Sequence, residues 1–338
     1  MNLLEGPDAE RLCTILISLM ELEISYSTDM QMLRGLQACN PQFLTDNSKR
    51  LPPGEKMTQY DIQKDIISEM IEMADKLTRS YAIPFIREFF LPNPHGTEEN
   101  GHAEFLVMLL DGGAAGISYM LLPPECEQKY SELRSESFTG MSPLDILSRY
   151  SGVDPVESMV TLTAVNAICQ HVMRQNPSLL DHATDSLGLM DIRDGDRIGM
   201  VGYFAPLMKY LENVRAELVI LEKDETLLKK KPGLPITLDP SALHGCTKIL
   251  CTSTTVLNNT LDEVLGHCTA ATHITVLGPT AGYYPDPLFR RGVTVLGGRY
   301  VRDGGLLLSR IKAGMKWGDA TEKLCFQRGT YCSILGRA

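Results

Sequence analysis

The chain has 338 residues, of which 43% are hydrophobic and 22% are charged, and its formal net charge at pH 7 is −10. This length and composition are typical of a soluble globular protein with two domains. The acidic balance argues against nucleic acid as a partner, because phosphate binding rests on clustered Lys and Arg. No run approaches the ~20 apolar residues that span a bilayer, so we expect no membrane partner either.

The chain begins with a predicted helical extension, residues 1–56. Apolar residues recur every three or four positions through residues 8–38, which predicts a helix. Residues 40–56 are rich in Pro, Asn and Ser and are predicted to form a loop. A second helix is predicted over residues 60–81, where isoleucines, methionines and a leucine make one apolar face.

Three extended runs follow the second helix. They predict strands at residues 83–91, 104–110 and 116–122. The segment 92–102 between the first two carries Pro, Asn, Gly and Glu, and is predicted to be a mobile loop. The last two strands are separated by Asp111-Gly112-Gly113-Ala114, which predicts a hairpin turn.

Two helices with recognisable caps come next. Ser142-Pro143 precedes a predicted helix over residues 144–150, and Asp154-Pro155 precedes another over residues 156–174. The order of helix, antiparallel strands and helices predicts an α+β domain over residues 57–185.

The remaining chain, residues 186–338, alternates between strand and helix patterns. Such alternation predicts a Rossmann-like domain with a parallel sheet, and ligands bind beyond the carboxyl ends of the strands in this fold. The domain boundary is expected within the polar segment 175–196. The predicted elements are strands at 197–202, 217–222, 247–251, 273–277 and 293–296, and helices at 205–214, 258–267 and 303–314.

The first unit of this domain, residues 198–222, has the pattern of a nucleotide-binding fold. Two apolar runs enclose an amphipathic stretch, with Gly199 and Gly202 near the first run and Glu222 at the end of the second. Glycine lets the backbone approach a ligand, and Glu222 stands where such folds place a ribose-binding carboxylate. The spacing is not G-x-G-x-x-G, so it names no particular cofactor. A buried unit without a nucleotide stays an alternative.

Small and polar residues also follow the later strands. Hydroxyls and amides at a helix entrance either cap the helix or hold polar atoms of a ligand. Since the carboxyl ends of parallel strands meet at one edge of a sheet, a shared pocket explains the whole set better than caps do. The candidate ligand-binding residues of these strand ends are Thr254, Asn258, Thr260, Gly278, Pro279 and Thr280, followed by Gly297 and Gly298 after the last strand.

Aromatic residues are expected at the same edge. Tyr203, Tyr283 and Tyr284 are predicted to face the pocket, whereas Phe204 lines it or packs in the core. An aromatic wall stabilises a cation by about 0.5–2 kcal/mol per contact when water is excluded. S-adenosylmethionine suits such a wall, because it is a nucleoside that carries a sulfonium cation. NAD would favour a fuller glycine motif and an exposed pyrophosphate site.

The cysteines and histidines give little support to a metal site. The nine cysteines are scattered without a C-x-x-C pair, which is typical of reduced thiols in a cytoplasm. The one local cluster is Cys268 with His267 or His273, for which we favour a structural role. We therefore expect no resident metal, although metal binding stays open.

Three segments of the second half carry a family resemblance: GMVGYFAPLMKYL, TSTTVLNNTLDEVL and GPTAGYYPDPLFRRGVTVLGG. They are similar to motifs of a bacterial and archaeal family of unknown function labelled "putative heavy-metal chelation". The resemblance implies a Rossmann-like C-terminal domain beside an N-terminal domain similar to the enolase N-terminal fold. The segment TLTAVNAICQHV resembles a helix of the family, which implies that Asn166 lies at an interdomain site. Tyr283 and Tyr284 stand where that family has a small, polar loop.

These features lead to a leading hypothesis and two rivals. The leading one is an enzyme that binds S-adenosylmethionine in an interdomain cleft and acts on its sulfonium as a transferase or lyase, by transfer, elimination or internal cyclisation. No paired acid and base is visible, so catalysis would rest on positioning and desolvation by Asn166 and the tyrosines. The rivals are a non-catalytic binder of heavy metal or a metallo-cofactor, and a structural or regulatory protein. A cytoplasmic location is expected, and the reaction, its acceptor and a homodimeric state are left open.

Overall fold

A computed structural model of the chain describes residues 65–95, 104–152, 154–211, 214–223, 227, 231 and 233–336. The predicted helical extension, the start of the second helix, most of the loop 92–102 and the basic residues before Lys231 lie outside these ranges. No helix among the described residues is long and apolar enough to cross a bilayer.

The first described helix, α1, spans Ile66–Thr78. Asp65 caps it, because its Oδ1 accepts a hydrogen bond of 2.9 Å from the backbone N–H of Ser68. The predicted apolar face is confirmed: the helix buries Ile66, Ile67, Met70, Met73, Ala74 and Leu77.

The three predicted N-terminal strands form one antiparallel sheet in the order β1-β2-β3. Strand β1 spans Ile86–Phe90, β2 spans Phe105–Leu110 and β3 spans Ala115–Tyr119. The hairpin turn between β2 and β3 is confirmed. Gly112 and Gly113 both have positive φ, at 88° and 85°, a conformation that glycine adopts without steric cost.

Three helices follow: α2 spans Glu127–Ser131, α3 spans Pro143–Leu147 and α4 spans Pro155–Gln175. Both predicted caps are confirmed. The Ser142 hydroxyl accepts from Leu144 N–H at 3.3 Å, and the Asp154 carboxylate accepts from the first-turn amides of α4.

Helix α4 packs directly against β3. A Cβ atom at Gly116 would lie 2.2 Å from the carbonyl oxygen of Thr163 and 2.3 Å from the nitrogen of Ala167. Only glycine permits this approach of a strand backbone to a helix backbone. Nearly every residue of α4 from Val156 to Met173 is buried, so the helix lies at the centre of the molecule.

The second half contains a seven-stranded sheet in the order β10-β9-β8-β7-β4-β5-β6. All neighbours pair in parallel except β10, which is antiparallel to β9. This mostly parallel sheet with helices confirms the predicted fold class. Its strands are β4 Arg197–Val201, β5 Glu217–Leu221, β6 Ile236–Thr237, β7 Lys248–Thr252, β8 His273–Leu277, β9 Val295–Val301 and β10 Thr321–Gln327.

Among the residues that the structure describes, five helices with given bounds accompany this sheet: α5 Ala205–Leu211, α6 Thr254–Leu257, α7 Leu261–His267, α8 Asp286–Arg290 and α9 Gly304–Lys312. The helix predicted over 258–267 begins later, at Leu261, and the separate short helix α6 precedes it. Asn259 lies between the two, and its φ of 55° is incompatible with a continuous right-handed helix.

The predicted end of the last parallel strand was wrong. Gly297 and Gly298 lie in the middle of β9, where they pair with Cys325 and Leu324 of β10. A Cβ atom at Gly298 would lie 1.8 Å from the carbonyl oxygen of Ala281, so this glycine permits the close approach of β9 to the loop after β8.

The largest apolar cluster joins the two halves of the chain, because it contains α1 and α4 together with β7 and residues up to Ile334. A smaller cluster packs one face of β2 and β3 against α9 and Trp317. The predicted domain boundaries stay a prediction.

Candidate functional site

The order of the sheet reverses at β4. The chain runs outward from β4 through β5 to β6, then returns to the other side of β4 to form β7, β8 and β9. In open parallel sheets of this kind, ligands bind outside the carboxyl ends of the two strands that flank the reversal. That position lies between the residues that follow β4 and those that follow β7, and we call it the switch-point cleft.

Gly202 forms the turn at the end of β4. Its φ is 78°, and its N–H donates a hydrogen bond of 2.9 Å to the carbonyl oxygen of Leu221. A Cβ atom at this position would lie 3.0 Å from the Cγ2 of Thr252. Glycine therefore meets two needs here, the left-handed backbone and the tight contact with the end of β7.

Glu222 lies directly beyond β5, beside this turn. Its Oε2 accepts a hydrogen bond of 3.2 Å from the N–H of Tyr203, and its Oε1 accepts one of 2.8 Å from Lys223 N–H. These two hydrogen bonds hold the carboxylate beside the glycine turn. The predicted neighbourhood of Gly202 and Glu222 is present, and the carboxylate is half-buried there.

The first two backbone amides after Gly202 are already engaged. Tyr203 N–H bonds to Glu222, Phe204 N–H lies 3.2 Å from the sulfur of Met200, and Pro206 has no N–H to offer. Helix α5 has only seven residues. A dinucleotide pyrophosphate needs free amides at such a helix start. This turn is therefore poorly suited to a pyrophosphate and leaves room for a ligand without one.

Tyr203 is half-buried, and its ring already contacts a cation. The Nζ of Lys231 lies 4.7 Å from the centroid of that ring. The distance is within the range in which an aromatic face attracts a positive charge. A ligand cation at this ring would share the face with Lys231 or replace it.

Two other candidates of the first unit lie inside the sheet layers. A Cβ atom at Gly199 would lie 2.7 Å from Ile249 Cδ1 and 2.8 Å from Leu243 Cδ2, so this glycine serves packing beneath the sheet. Phe204 is 4% exposed and belongs to the core cluster that contains Met200 and Leu207.

The residues after β7 divide into three places. Thr254 is half-buried, and its hydroxyl lies 3.0 Å from the hydroxyl of Thr252, beside Gly202. Ser253 is buried under Gly278, where a Cβ atom would lie 2.2 Å from the serine oxygen. Asn258 and Thr260 hydrogen-bond to each other at 2.6 Å in the connection between α6 and α7. Thr254 thus joins the switch-point cleft, whereas Asn258 and Thr260 stabilise a helix connection.

Residues of the N-terminal half hold the loop after β8 by hydrogen bonds. Thr280 is 1% exposed, and its hydroxyl accepts a hydrogen bond of 3.1 Å from the N–H of Tyr119 in β3. Asn166 of α4 donates from Nδ2 to the carbonyl oxygens of Ile117 at 2.6 Å and Thr280 at 2.8 Å. Pro279, directly before Thr280 in this loop, is half-buried. Asn166 therefore lies where helix α4, strand β3 and the loop after β8 meet, which we call the α4 seam.

Gln170, one turn after Asn166, belongs to the same seam and was not predicted from the sequence. Its Nε2 donates to the carbonyl oxygens of Gly282 at 2.9 Å and Arg299 at 3.1 Å, and its Oε1 accepts from Val301 N–H at 2.8 Å. A buried amide four residues from another on an apolar helix was the available signal. Both amides hold α4 against the Rossmann-like half.

Tyr283 and Tyr284 differ from the prediction, because they do not line an open pocket. Both side chains are 0% exposed and lie in the main core. Burial raises the pKa of both hydroxyls, and neither hydroxyl has a hydrogen-bond partner among the described residues. Gly282, directly before them, lies against Gln170 and Asn166 of α4, and the ring centroid of Tyr284 lies 5.9 Å from that of Phe326 in β10.

Three buried thiols are poor candidates for soft-metal ligation. Burial raises the pKa of Cys169, Cys251 and Cys268 to about 12, so these groups are protonated at neutral pH. Metals bind the thiolate. Within the described ranges, no three His, Cys, Asp or Glu side chains are grouped so that they could hold a metal ion.

Strand order, glycine turn and acidic strand end together define a Rossmann-like α/β protein. Residues 185–328 match the family DUF364, described as "Putative heavy-metal chelation". The resemblance predicted from the motifs is thereby confirmed for this part of the chain. No curated protein matches the chain.

Two solved structures of that family have the same fold. A protein with unknown function from Pyrococcus horikoshii is 18% identical, with a TM-score of 0.57, over 78% of this chain and 99% of its own. Another from Desulfitobacterium hafniense DCB-2 is 21% identical, with a TM-score of 0.56, over 76% of this chain and 98% of its own. At these identities the likeness shows the fold alone.

Proposed function

We propose that the switch-point cleft binds a nucleoside-type ligand, with S-adenosylmethionine as the first candidate. The observation that carries the proposal is the place of Gly202 and Glu222. They stand side by side at the reversal of strand order, where folds of this kind use a carboxylate to accept hydrogen bonds from ribose hydroxyls.

The choice among nucleosides follows from the engaged amides. Because Tyr203 and Phe204 use their N–H groups and Pro206 has none, the turn offers little to a pyrophosphate. A nucleoside without a pyrophosphate meets no such deficit. The Tyr203 ring, which already holds the Lys231 ammonium, supports a ligand with a positive charge near this turn.

The chemistry that would follow is transfer, elimination or cyclisation at a carbon bonded to the sulfonium sulfur, with a neutral thioether as the leaving group. A sulfonium is already a good leaving group, so orientation and exclusion of water would be the protein's main contributions. In this proposal the half-buried Tyr203 and Thr254 orient the ligand. The buried Asn166, Tyr283 and Tyr284 do not contact it and instead fix the position of the loops.

Three measurements on the purified full chain test the proposal. Native mass spectrometry would identify a small molecule that co-purifies, and elemental analysis of the same sample would quantify metals. Calorimetry with S-adenosylmethionine, S-adenosylhomocysteine and NAD should give binding of the first two and weaker binding of NAD. Stoichiometric metal without nucleoside affinity would instead support the heavy-metal function that the family description names.

A further inference from the structure

Two histidines from different elements lie side by side, away from the switch-point cleft. His244 follows the 3₁₀ turn Pro240–Leu243, and His267 is the last residue of α7. Their ring centroids are 5.2 Å apart, with an angle of 49° between the ring planes. Because His244 precedes β7 and His267 precedes β8, they lie toward the amino ends of these strands, whereas the cleft lies beyond the carboxyl ends. We call them the histidine pair.

The separation of the two rings is that of imidazoles that share one metal ion. A zinc–nitrogen bond is about 2.0–2.1 Å long, so two imidazoles at a tetrahedral angle on one ion have centroids about 5 Å apart. The observed distance of 5.2 Å agrees with this value. The rings are therefore already spaced for an ion, and binding requires only that a nitrogen of each ring turn toward it.

Nitrogen donors of the histidine pair are available to a metal. Among the residues that the structure describes, neither imidazole hydrogen-bonds or ion-pairs with another group. The Nδ1 of His267 is buried, but its Nε2 is not, so Nε2 is the nitrogen that can meet a ligand. His244 is exposed, and its ring can turn toward that nitrogen because no such bond holds it in place.

A carboxylate lies within electrostatic reach of both rings. A hydrogen bond from the Ser241 hydroxyl lowers the pKa of Asp239, and charge attraction from His267 and His244 lowers it further. A carboxylate near metal-bound imidazoles can hold a water on the ion or orient a ring. The guanidinium of Arg197, which approaches Gly245, has its own counter-charge, because it lies 3.7 Å from the Glu217 carboxylate.

The neighbouring thiol does not join the histidine pair. Cys268 is buried, its sulfur lies 3.1 Å from the carbonyl oxygen of Val264, and burial raises its pKa to about 12. Within the described part of the chain, no set of three His, Cys, Asp or Glu side chains could hold a metal. The protein thus offers two donors here, and water would fill the remaining positions of an open site.

We propose that the histidine pair chelates one divalent transition-metal ion, with His244 and the Nε2 of His267 as its protein ligands. Imidazole suits Zn²⁺, Ni²⁺ and Cu²⁺, whereas Mg²⁺ and Ca²⁺ prefer oxygen ligands. Among these ions Cu²⁺ should bind most tightly, because it forms the most stable complexes with a given set of nitrogen donors. The site is independent of the nucleoside proposal, because it uses other residues at the other ends of the strands.

The test is calorimetry of the full chain with Cu²⁺, Zn²⁺ and Mg²⁺ in a buffer that does not bind metals. Cu²⁺ should occupy one tight site per chain, Zn²⁺ should bind the same site more weakly, and Mg²⁺ should not bind there. His244→Ala, at an exposed position, should weaken Cu²⁺ binding at least about tenfold. His267→Gln should do the same while it keeps most of the volume of a half-buried side chain.

The matched control is His95→Ala. His95 is also exposed, and its Nε2 lies 3.6 Å from the Glu127 carboxylate rather than beside another histidine. This variant should keep the Cu²⁺ affinity of the wild type. Electron paramagnetic resonance of the Cu²⁺ complex should show two nitrogen donors in the wild type and one in each variant of the histidine pair.

The pattern of loss distinguishes a chelate from two separate histidines. In a chelate, either single substitution removes the one tight site. Two independent histidines would instead lose half of the binding capacity in each variant at unchanged affinity, and that result would overturn the proposal, as would unchanged Cu²⁺ binding in both variants. Glu222→Ala should leave Cu²⁺ binding unchanged, and His244→Ala should leave S-adenosylmethionine binding unchanged, which separates this test from that of the nucleoside site.

Discussion

The side chain of Asn166 joins helix α4 to the loop of Thr280 through a hydrogen bond of 2.8 Å to the threonine carbonyl oxygen. The same Nδ2 donates to Ile117 in β3, and both partners lie in the buried interior. Replacement by alanine leaves two carbonyl groups without this donor. We expect Asn166→Ala to lower the free energy of unfolding by about 1–3 kcal/mol. Urea denaturation would measure it, and Asn93→Ala, at an exposed position, should change it by less than about 0.5 kcal/mol.

Glu222→Ala tests the nucleoside site directly. If the carboxylate binds ribose hydroxyls, its loss should weaken nucleoside affinity by about 1.5–3 kcal/mol, or tenfold to a hundredfold in Kd. The control is Glu217→Ala, an exposed acid at the opposite end of β5. Calorimetry with S-adenosylmethionine compares the two variants. Equal affinities in both would remove Glu222 from the site.

Tyr203→Leu tests the sulfonium. An aromatic face contributes about 0.5–2 kcal/mol to a cation but little to a neutral thioether. The variant should therefore lose affinity for S-adenosylmethionine and keep its affinity for S-adenosylhomocysteine. Tyr210→Leu, on the exposed side of α5, is the matched control. An equal loss for both ligands would mean that the ring packs against the nucleoside and does not attract its charge.

Gly202→Ala should destabilise the fold, because residue 202 has a φ of 78° and a new Cβ would press on Thr252. The cost of a left-handed alanine is about 1–2 kcal/mol before any contact is counted. Gly266→Ala has the opposite expectation. It lies within α7 with nothing within 4 Å of its new Cβ, so the helix should gain up to about 1 kcal/mol. Thermal unfolding of both variants checks the two signs together.

Glu69 should make stability depend on pH. Burial raises its pKa, but hydrogen bonds and charge from Arg291 and Arg290 outweigh burial and hold the pKa below its usual value. A carboxyl whose pKa is depressed in the folded state stabilises the protein above its unfolded pKa, about 4.3 for glutamate. This stability is lost as the pH falls through the folded pKa.

Wild type should therefore exceed Glu69→Gln by about 1–3 kcal/mol at pH 7, and the difference should shrink below about pH 4. Urea denaturation at several pH values would measure it. Glu72→Gln, on the exposed side of the same helix, is the control. A difference that stays constant with pH would show that the Glu69 charge contributes nothing.

Most of the secondary structure could be predicted because its signals are local. The alternation of apolar runs and helices, the capping residues Ser142 and Asp154, and the turn at Gly112 act within a few residues of chain. Strand β10 was missed because Glu322 and Lys323 interrupt its apolar pattern. Its pairing with β9 is a tertiary contact that the local sequence does not reveal.

The candidate site was predictable in part for the same reason. Gly202 and Glu222 are related by a fixed spacing within one strand-helix-strand unit, so the sequence could bring them together. The tyrosines are different. Whether Tyr283 faces a cleft or the core depends on how the loop of Gly282 packs against α4, and nothing in the local sequence pattern determines that packing. Gln170 was missed because its partners lie more than a hundred residues away.

The backbone contact of Gly116 with Thr163 and Ala167 bears on how a ligand could enter. Many binding proteins with two domains open by rotation of one domain about a hinge. Here the backbones of β3 and α4 touch without intervening side chains. Asn166 and Gln170 of α4 also donate hydrogen bonds to the loop after β8 in the other half of the chain. A motion that parts α4 from those loops would have to break these hydrogen bonds together, and β3 would move with α4 as one unit. A ligand that binds as proposed would therefore have to reach the switch-point cleft without such an opening.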